Sequence, residues 1–292
     1  MTEIGEQPFG EVMEKSRRMV KKYYSCHSFL FQICVLWLNH VSLTPDPQRQ
    51  TEILEEASAL CSRIISDSRD IGLCNDAILL KASIDLLRNK VPAVIDTLEE
   101  LLNPYHYSFQ GESILVQAYA MSGQKEKANK YSQYNMYIHL LALVFGAVQY
   151  LSLHANDLDA CRETINRIDR VMEIYDLEHL HENTAAQYHY QVAAIYCIHQ
   201  IPEVAMERLK KFAAITGSLL SRDRIYLGGD SYFNSIDDYF ENMDLGGNLV
   251  RDKKVILGSV VQALENPVFE ILKDNEDLQK MKKMFQAKGE SL

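Results

Sequence analysis

The sequence has little proline and little glycine, with only 7 prolines and 13 glycines among 292 residues. It also lacks the patterns of β-strands. No alternating apolar and polar run is bounded by turn residues, and no Asn-Gly or Asp-Gly hairpin turn is present. Apolar residues instead recur at helical spacing along almost the whole chain. The sequence therefore predicts an all-α protein.

Signals for export and for membrane insertion are also missing. The segment from Met1 to Gly10 is polar and acidic, which argues against a signal peptide. The longest apolar stretch, Leu140 to Leu153, is interrupted by polar residues and is too short to span a bilayer, so we expect a core helix there. These absences predict a cytoplasmic protein with no membrane partner.

Positive charge is in short supply. The net charge is −10 and the isoelectric point is near 5.4, whereas nucleic-acid-binding domains are usually basic because they neutralise phosphates. We therefore expect no direct binding of nucleic acid by this chain. One acidic set is typical of a solvated face and comprises Asp230, Asp237, Asp238, Glu241 and Asp244.

Motifs that carry catalysis or bind cofactors are absent. The sequence contains no G-x-x-x-x-G-K-[ST] loop, no G-x-G-x-x-G after a strand, no H-E-x-x-H and no G-x-S-x-G. The six cysteines form no C-x-x-C pair, and most lie in apolar surroundings, which predicts buried, reduced thiols. We therefore expect neither an enzyme nor a cofactor.

Histidines and carboxylates are densest around residues 178–182. Glu178, His179, His181 and Glu182 are of the types that bind metals. However, His179 and His181 are two residues apart, and such residues point to different faces of a helix. We interpret residues 176–183 as a turn between helices followed by the start of the next helix, and we expect no metal site.

Helical spacing and its interruptions place individual helices. We expect three helices at the N-terminus and three in the last part of the chain, near Phe9–Tyr24, Ser28–Val41, Gln48–Ser66, Tyr232–Phe240, Asp252–Leu264 and Glu276–Gln286. Gly228-Gly229 and Leu245-Gly246-Gly247 interrupt the pattern on either side of the short helix.

One spacing recurs in the middle of the chain. A large residue is followed four positions later by a turn residue and five positions after that by a small residue, at Ile84-Arg88-Ala93, Tyr119-Gly123-Ala128, Leu151-Ala155-Ala160 and Tyr196-Gln200-Ala205. The small residues are 35, 32 and 45 positions apart, and a period near 34 is that of the tetratricopeptide repeat. In such a repeat the small residue lets two antiparallel helices approach closely.

This spacing predicts a right-handed superhelix of antiparallel helix hairpins, a tetratricopeptide-like solenoid, rather than an unrelated helical bundle. One hairpin cannot bury its apolar face alone, so neighbouring hairpins stack. We expect residues 1–222 to form the repeats. Residues 223–292 are expected to form capping helices of the same solenoid, because an end repeat must cover the exposed core of its neighbour.

Four further stretches form a recognisable set. They are Val35-Leu36-Trp37-Leu38-Asn39-His40 followed by Pro45-Asp46, Glu52-Ile53-Leu54-Glu55-Glu56-Ala57, Tyr137-Ile138-His139-Leu140-Leu141-Ala142-Leu143, and Leu264-Glu265-Asn266-Pro267-Val268-Phe269. As a set they resemble the long C-terminal region of bacterial helix-turn-helix regulators of the XRE (Cro/repressor-like) family. Together with the repeats, they cover nearly all of the chain.

The resemblance implies a sensing or oligomerising role. In that family a short helix-turn-helix domain precedes this region and holds the DNA. This sequence departs from the family because only about eight residues precede the first expected helix. We therefore expect that the DNA-binding domain was removed or is encoded separately.

Tyrosine is abundant, with 16 in the chain and a cluster between Tyr105 and Tyr150. Its large apolar body and polar tip suit a peptide-binding groove, although packing between hairpins explains the same residues. Asn and Gln within residues 131–135 are able to pair with a peptide backbone, and His139 is expected to open the apolar helix and to face a groove. The candidate ligand-binding residues are Tyr134, Asn135, His139, Gln187 and Gln191.

The leading hypothesis is a sensing or oligomerising module of a transcriptional regulator. It would bind a peptide, a small molecule or a partner protein in a groove of the helical repeats and so reposition a DNA-binding domain. The alternative is a scaffold for protein–protein interactions without a regulatory ligand. The expected partners are a peptide or protein ligand, and a homodimer of this chain is left open.

Overall fold

A computed structural model describes residues 9–102, 110–222, 227–242 and 253–290. Within these ranges the chain forms fourteen α-helices and two 3-10 helices, and it forms no β-strand. The prediction of an all-α protein is therefore confirmed. The helices belong to two compact units, which divide between residues 108 and 109.

The described part of unit 1 contains five α-helices and one 3-10 helix. They are α1 (Phe9–Lys22), α2 (His27–His40), the 3-10 helix Val41–Leu43, α3 (Pro47–Asp67), α4 (Ile71–Leu87) and α5 (Val91–Leu101). Helices α3 and α4 begin at aspartates, since the side chains of Asp46 and Asp70 accept hydrogen bonds from free backbone N–H groups of the first turn. Consecutive helices pack on one another from α1 to α5.

The described part of unit 2 contains nine α-helices and one 3-10 helix. They are α6 (Gln110–Met121), α7 (Lys125–Leu153), α8 (Leu158–Ile174), α9 (Leu177–Leu180), α10 (Glu182–Ile198), α11 (Pro202–Ser221), α12 (Asp237–Asn242), α13 (Lys253–Leu264), the 3-10 helix Pro267–Leu272 and α14 (Glu276–Glu290). Helices α6 and α7, α7 and α8, and α10 and α11 pack as consecutive pairs. Short turns join these pairs, which makes them antiparallel hairpins.

The predicted helix limits agree with the structure except at one place. The three N-terminal helices and α14 lie where expected, with limits that differ by at most 4 residues. The prediction of a helix at Tyr232–Phe240 is wrong in its first half, because α12 begins only at Asp237. Asp230 explains the difference, since its Oδ1 accepts the backbone N–H groups of Tyr232 and Phe233 and fixes a turn. Asp252, the expected start of α13, lies outside the described residues.

The last helices of unit 2 lie against the α10–α11 hairpin. The Tyr190 hydroxyl donates to the carbonyl oxygen of Ala263 over 3.1 Å, and Lys210 Nζ lies 2.6 Å from Asp277 Oδ2. The predicted boundary between repeats and cap, at residues 222 and 223, lies inside unit 2 and stays a prediction.

Three hairpins end their first helix in the same way. The backbone N–H of Lys90 donates to the Asp85 carbonyl, that of Gln124 to Tyr119, and that of Ile201 to Tyr196, each over 2.9 Å. The residue before each donor has a left-handed backbone, with φ of 58° at Asn89, 79° at Gly123 and 58° at Gln200. This hydrogen-bond pattern is a Schellman turn, which ends a helix and reverses the chain.

The positions of this shared turn show that the predicted repeat spacing is wrong in two of its four instances. In the α4–α5 hairpin the left-handed residue is Asn89 rather than Arg88. The position equivalent to Ala128 and Ala205, which are both buried, is therefore Val94, and the predicted Ala93 is exposed. In the α7–α8 hairpin no described residue of the turn has positive φ, so the spacing at Leu151 does not mark the same turn.

Each unit has its own apolar core. In unit 1 the core surrounds Trp37, which is 1% exposed and donates its indole N–H to Ser16 Oγ over 2.8 Å. In unit 2 the largest fully buried side chains include Tyr137 and Tyr188. All six cysteines lie within the described residues and are free thiols. Cys34, Cys61, Cys161 and Cys197 are buried as expected, Cys74 is half-buried and Cys26 is exposed.

Candidate functional site

Helix α7 carries three of the residues that the sequence selects, and it is longer than expected. It begins at Lys125, directly after the left-handed turn at Gly123, so His139 lies within the helix and does not open it. Five side chains in its N-terminal half recur at helical spacing and share one face. We call this set the α7 face, and it comprises Asn129, Lys130, Gln133, Tyr134 and Tyr137.

A segment from much later in the chain covers the α7 face. We call residues 227–242 the strap; it includes α12 and belongs to unit 2. The backbone N–H of Ser235 donates to Gln133 Oε1 over 2.9 Å, and Gln133 Nε2 donates to Asn234 Oδ1 over 3.1 Å. One amide side chain thus uses both its acceptor and its donor on consecutive strap residues, as an amide does with a bound peptide.

Aromatic contacts form the second part of this interface. Tyr134 stacks on Tyr239 with ring centroids 4.2 Å apart. Tyr137 meets two strap rings edge-on, Phe233 at 5.6 Å and Phe240 at 5.5 Å. Aromatic pairs in such arrangements contribute about 0.5–1.5 kcal/mol each beyond the burial of their surface.

Polar contacts complete the interface at the N-terminal end of the α7 face. Asn129 Nδ2 donates to Ser235 Oγ over 3.1 Å, and the ammonium group of Lys130 pairs with the carboxylate of Asp238. Among the described residues, Asn129, Lys130 and Gln133 form side-chain hydrogen bonds with the strap and with no other segment. The amide and ammonium groups of the α7 face are therefore committed to this one contact.

The strap also stabilises its own shape. Asp230 Oδ1 accepts the two backbone N–H groups that fix the first turn, and Asp237 Oδ1 accepts the N–H of Gly229 over 2.7 Å. A Cβ at Gly229 would lie 1.6 Å from the carbonyl oxygen of Phe233, so only glycine fits there.

The predicted acidic face is thus exposed but not free. Asp230, Asp237 and Asp238 are exposed, and each accepts a hydrogen bond. The side chain of Glu241 and the whole of Asp244 lie outside the described residues. These aspartates organise and attach the strap, which the composition alone did not show.

The five predicted ligand-binding residues lie on two helices. Tyr134 belongs to the α7 face, Asn135 is half-buried beside it, and His139 is exposed with its Nε2 2.7 Å from Glu112 Oε2 of α6. Gln187 is exposed and Gln191 is half-buried on α10, and neither side chain forms a hydrogen bond within the described part of the chain. The structure therefore groups Tyr134 with Gln133 and Lys130, which the sequence did not select, rather than with the glutamines of α10.

Two hydroxyl groups in this region have no protein partner. Among the described residues, Tyr137 Oη and Thr184 Oγ1 are the buried side-chain polar atoms without a hydrogen bond. His181 lies near both, because its ring centroid is 6.4 Å from that of Tyr137 and its Nδ1 accepts the N–H of Thr184. Burial raises the pKa of Tyr137 and lowers the pKa of His181. Both side chains are therefore neutral at neutral pH.

We expect Tyr137→Phe to stabilise unit 2 by about 1 kcal/mol, because a buried hydroxyl without a partner costs about 1–3 kcal/mol. The matched control is Tyr188→Phe. The Tyr188 hydroxyl donates to Asp169 Oδ1 over 2.9 Å, so its loss should destabilise by about 1 kcal/mol. Urea unfolding of both variants, followed by circular dichroism, measures the two changes. A loss of stability in Tyr137→Phe equal to that in Tyr188→Phe would contradict the assignment.

A charged cleft of about 520 Å³ is a second feature of unit 2, and α8, α10 and α11 contribute to it. Arg208 forms a two-bond ion pair with Asp169, at 2.8 and 2.5 Å, and Lys211 Nζ lies 2.7 Å from Glu178 Oε1. Burial alone would raise the pKa of Asp169, but hydrogen bonds from Arg208 and Tyr188 hold that pKa below its usual range. The two cations of the cleft, Arg208 and Lys211, are therefore already paired with carboxylates.

His189 lies at the back of this cleft with its side chain 2% exposed. Its Nε2 is 3.0 Å from Glu178 Oε1, and its Nδ1 is 3.4 Å from Arg208 Nη1. Because Arg208 only donates, Nδ1 accepts and Nε2 carries the proton. Burial lowers the pKa of His189, so the ring is neutral. Both ring nitrogens of His189 are therefore engaged with protein groups. The expectation that the chain is not an enzyme stays a prediction.

The metal-binding residue types at positions 178–182 have other partners. His179 Nδ1 lies 2.7 Å from Asp176 Oδ1, and Glu182 pairs with Arg222. No group of three or more His, Cys, Asp or Glu side chains in the described ranges is close enough to hold a metal ion.

One helix in the described part of the chain, α7, is long and apolar enough to cross a membrane by length and composition alone. It also supplies Tyr137, Val144 and Leu151, each 0% exposed, to the core of unit 2. The expected core helix at Leu140–Leu153 is thus the C-terminal half of α7.

Comparison with known proteins gives no relative: no family model, no curated protein and no solved structure matches this chain.

Proposed function

We propose that this chain is a tetratricopeptide-like module that recognises a peptide segment of a partner protein on the α7 face. One observation carries the proposal. The α7 face holds a segment of chain through a backbone N–H, a carboxylate and three aromatic rings at once. Main-chain hydrogen bonds and pockets for side-chain anchors are the two means by which peptide-binding surfaces hold their ligands.

The helical arrangement supports a solenoid of hairpins. Consecutive helices pack in chain order from α1 to α5 and from α6 to α11, and three hairpins share one turn geometry. We propose that they are degenerate tetratricopeptide-like repeats of a right-handed superhelix, in which the last helices form a cap.

The resemblance to XRE-type regulators supplies the proposed biological role. The module would sense its ligand in the cytoplasm and pass the change to a DNA-binding domain that is attached or associated. With a net charge of −10, the chain itself is poorly suited to neutralise phosphates. A ligand shifts a conformational equilibrium only when its affinities for the two conformations differ. In this proposal, the strap contacts the α7 face in one conformation and has moved away from it in the other.

Peptide selection tests this proposal. Random peptides displayed on phage are selected on the wild-type chain and on Gly229→Ala, in which the strap cannot keep its turn. We expect enriched peptides whose affinity falls at least about tenfold when Gln133→Ala is added, because two hydrogen bonds are lost. The matched control is Gln149→Ala, an exposed amide elsewhere on α7. If no peptide is enriched on either bait, or if Gln133→Ala and Gln149→Ala behave alike, the proposal is wrong.

The alternative of a homodimeric scaffold is favoured by a different surface of unit 2. An apolar groove along α7 and α8 is lined by residues that include Leu143, Gly146, Tyr150, Ile168 and Val171. Leu143 is 52% exposed, and it lies seven residues from Tyr150, the spacing of a helix–helix seam. Light scattering on the same samples separates the two functions. A stable dimer that Leu143→Glu converts to a monomer, without peptide selection, would favour the scaffold.

A further inference from the structure

The strap contains one tetrapeptide pattern twice. Asp230-Ser231-Tyr232-Phe233 and Asp237-Asp238-Tyr239-Phe240 both have the form Asp-x-Tyr-Phe, and they are seven residues apart. In each copy the aspartate Oδ1 accepts a backbone N–H within the strap. The pattern therefore joins a structural aspartate to a pair of aromatic anchors.

Both Tyr-Phe pairs contact tyrosines of the helical unit. Phe233 and Phe240 each meet the Tyr137 ring edge-on, and Tyr239 stacks on Tyr134. Tyr232 lies 6.2 Å from Tyr175 between ring centroids. The phenylalanines of the two copies thus share the contact with Tyr137. The tyrosines differ, because Tyr239 stacks on the α7 face and Tyr232 is 55% exposed.

The strap shapes its turns by itself, while Phe233 and Ile236 anchor it in the core of unit 2. Its two turns are fixed by its own aspartates and by Gly229. If the strap moves away, the amides of Asn129 and Gln133, the ammonium of Lys130 and the rings of Tyr134 and Tyr137 become available together. A ligand for these groups must offer an acidic side chain, a free backbone N–H and aromatic rings.

The geometry points to a binding site for acidic, aromatic peptides that present an Asp-Tyr-Phe triplet, as Asp238, Tyr239 and Phe240 do, and to the strap as its built-in competitor. This inference rests on the proposed function and names its ligand class. A partner segment of this form displaces residues 230–240 from the α7 face. The apparent dissociation constant then equals the intrinsic one divided by the fraction of molecules whose strap is displaced.

A synthetic fluorescent peptide of residues 228–242 is the probe, and fluorescence anisotropy measures its binding to the full chain. Gly229→Ala displaces the strap without changing the α7 face, so we expect it to bind the probe at least about tenfold more tightly than the wild type does. The matched control is Gly258→Ala on α13, where the added methyl meets no atom within 4 Å. It should bind as the wild type does. Equal binding by Gly229→Ala and the wild type would overturn the inference.

Two exchanges test the recognition itself. A probe with Phe233 and Phe240 both replaced by alanine should lose at least about tenfold in affinity for Gly229→Ala, because both contacts with Tyr137 are lost. Lys130→Glu in the same background should weaken the original probe. A probe carrying Asp238→Lys should recover that loss, since the charge pair is then restored with opposite sign. Failure of the reversed pair to recover binding would contradict recognition of the acidic residue.

A second release variant covers the case in which Gly229→Ala does not fold. Asp230→Ala with Asp237→Ala removes both internal caps of the strap and leaves the α7 face intact. If folded release variants bind library-selected peptides through Gln133 but not the 228–242 probe, the inference fails and the proposed function stands. If they bind neither, both fail.

Discussion

Phe233→Ala is expected to destabilise the contact between the strap and the α7 face by about 3 kcal/mol, because large-to-small changes of a buried phenylalanine cost about 3–5 kcal/mol. Phe233 is 1% exposed and contacts the rings of Tyr137 and Tyr175, at 5.6 and 6.0 Å. Truncation removes both contacts and leaves a cavity beside the α7 face. The lower end of the range applies because the strap can partly close that cavity.

Hydrogen exchange with mass spectrometry measures this loss. A change of about 3 kcal/mol corresponds to exchange that is roughly 100-fold faster in the strap. The matched control is Tyr232→Ala, the neighbouring aromatic, which is 55% exposed. It should change exchange by less than about tenfold, since little of its surface is buried. Equal effects of the two truncations would show that Phe233 does not anchor the strap.

Asp85→Ala is expected to destabilise unit 1 by about 3 kcal/mol, because removing one partner of a buried ion pair leaves an uncompensated charge. The Asp85 side chain is 5% exposed and lies 2.5 Å from Lys81 Nζ, 3.6 Å from Arg88 Nη1 and 4.0 Å from Lys90 Nζ. Its Oδ1 also accepts from Ser58 Oγ over 3.4 Å. One carboxylate therefore holds three cations near the end of α4.

The chain has a single tryptophan, Trp37, and it is buried in unit 1. Its fluorescence in urea therefore reports the unfolding of that unit. Lys90→Ala is the control, because Lys90 is 49% exposed and is the most distant of the three cations. It should cost less than about 0.5 kcal/mol, as exposed pairs do. A cost for Asp85→Ala below about 1 kcal/mol would show that the network contributes no more than a surface ion pair.

Local signals explain which parts of the fold were predictable. The helix starts at Pro47 and Ile71 follow aspartates whose side chains cap the first turn, and such caps are visible in sequence. The turn at Gly123 was recognisable because glycine adopts positive φ without strain. The sequence pattern places the turn at Arg88, one residue before Asn89, because asparagine is a weaker signal of a left-handed backbone than glycine is.

The candidate site depends on contacts between distant parts of the chain, and these were not predictable. Gln133 meets Ser235 across 102 positions, and Lys130 meets Asp238 across 108. The amide side chains in residues 131–135 predict pairing with a peptide backbone. Nothing in the sequence of this stretch shows which segment it contacts. The same limit applies to the cleft, where Arg208 pairs with Asp169 across 39 positions.

The backbone amide of Ser235 provides the most direct test of the central claim. Its N–H is 2.9 Å from Gln133 Oε1 when the strap is seated. Residue-resolved hydrogen exchange should find this amide protected at least about 100-fold relative to an unfolded chain, and Gln133→Ala should remove much of that protection. Exchange at Ser235 as fast as in an unfolded chain, in the wild-type protein, would mean that the α7 face does not hold the strap.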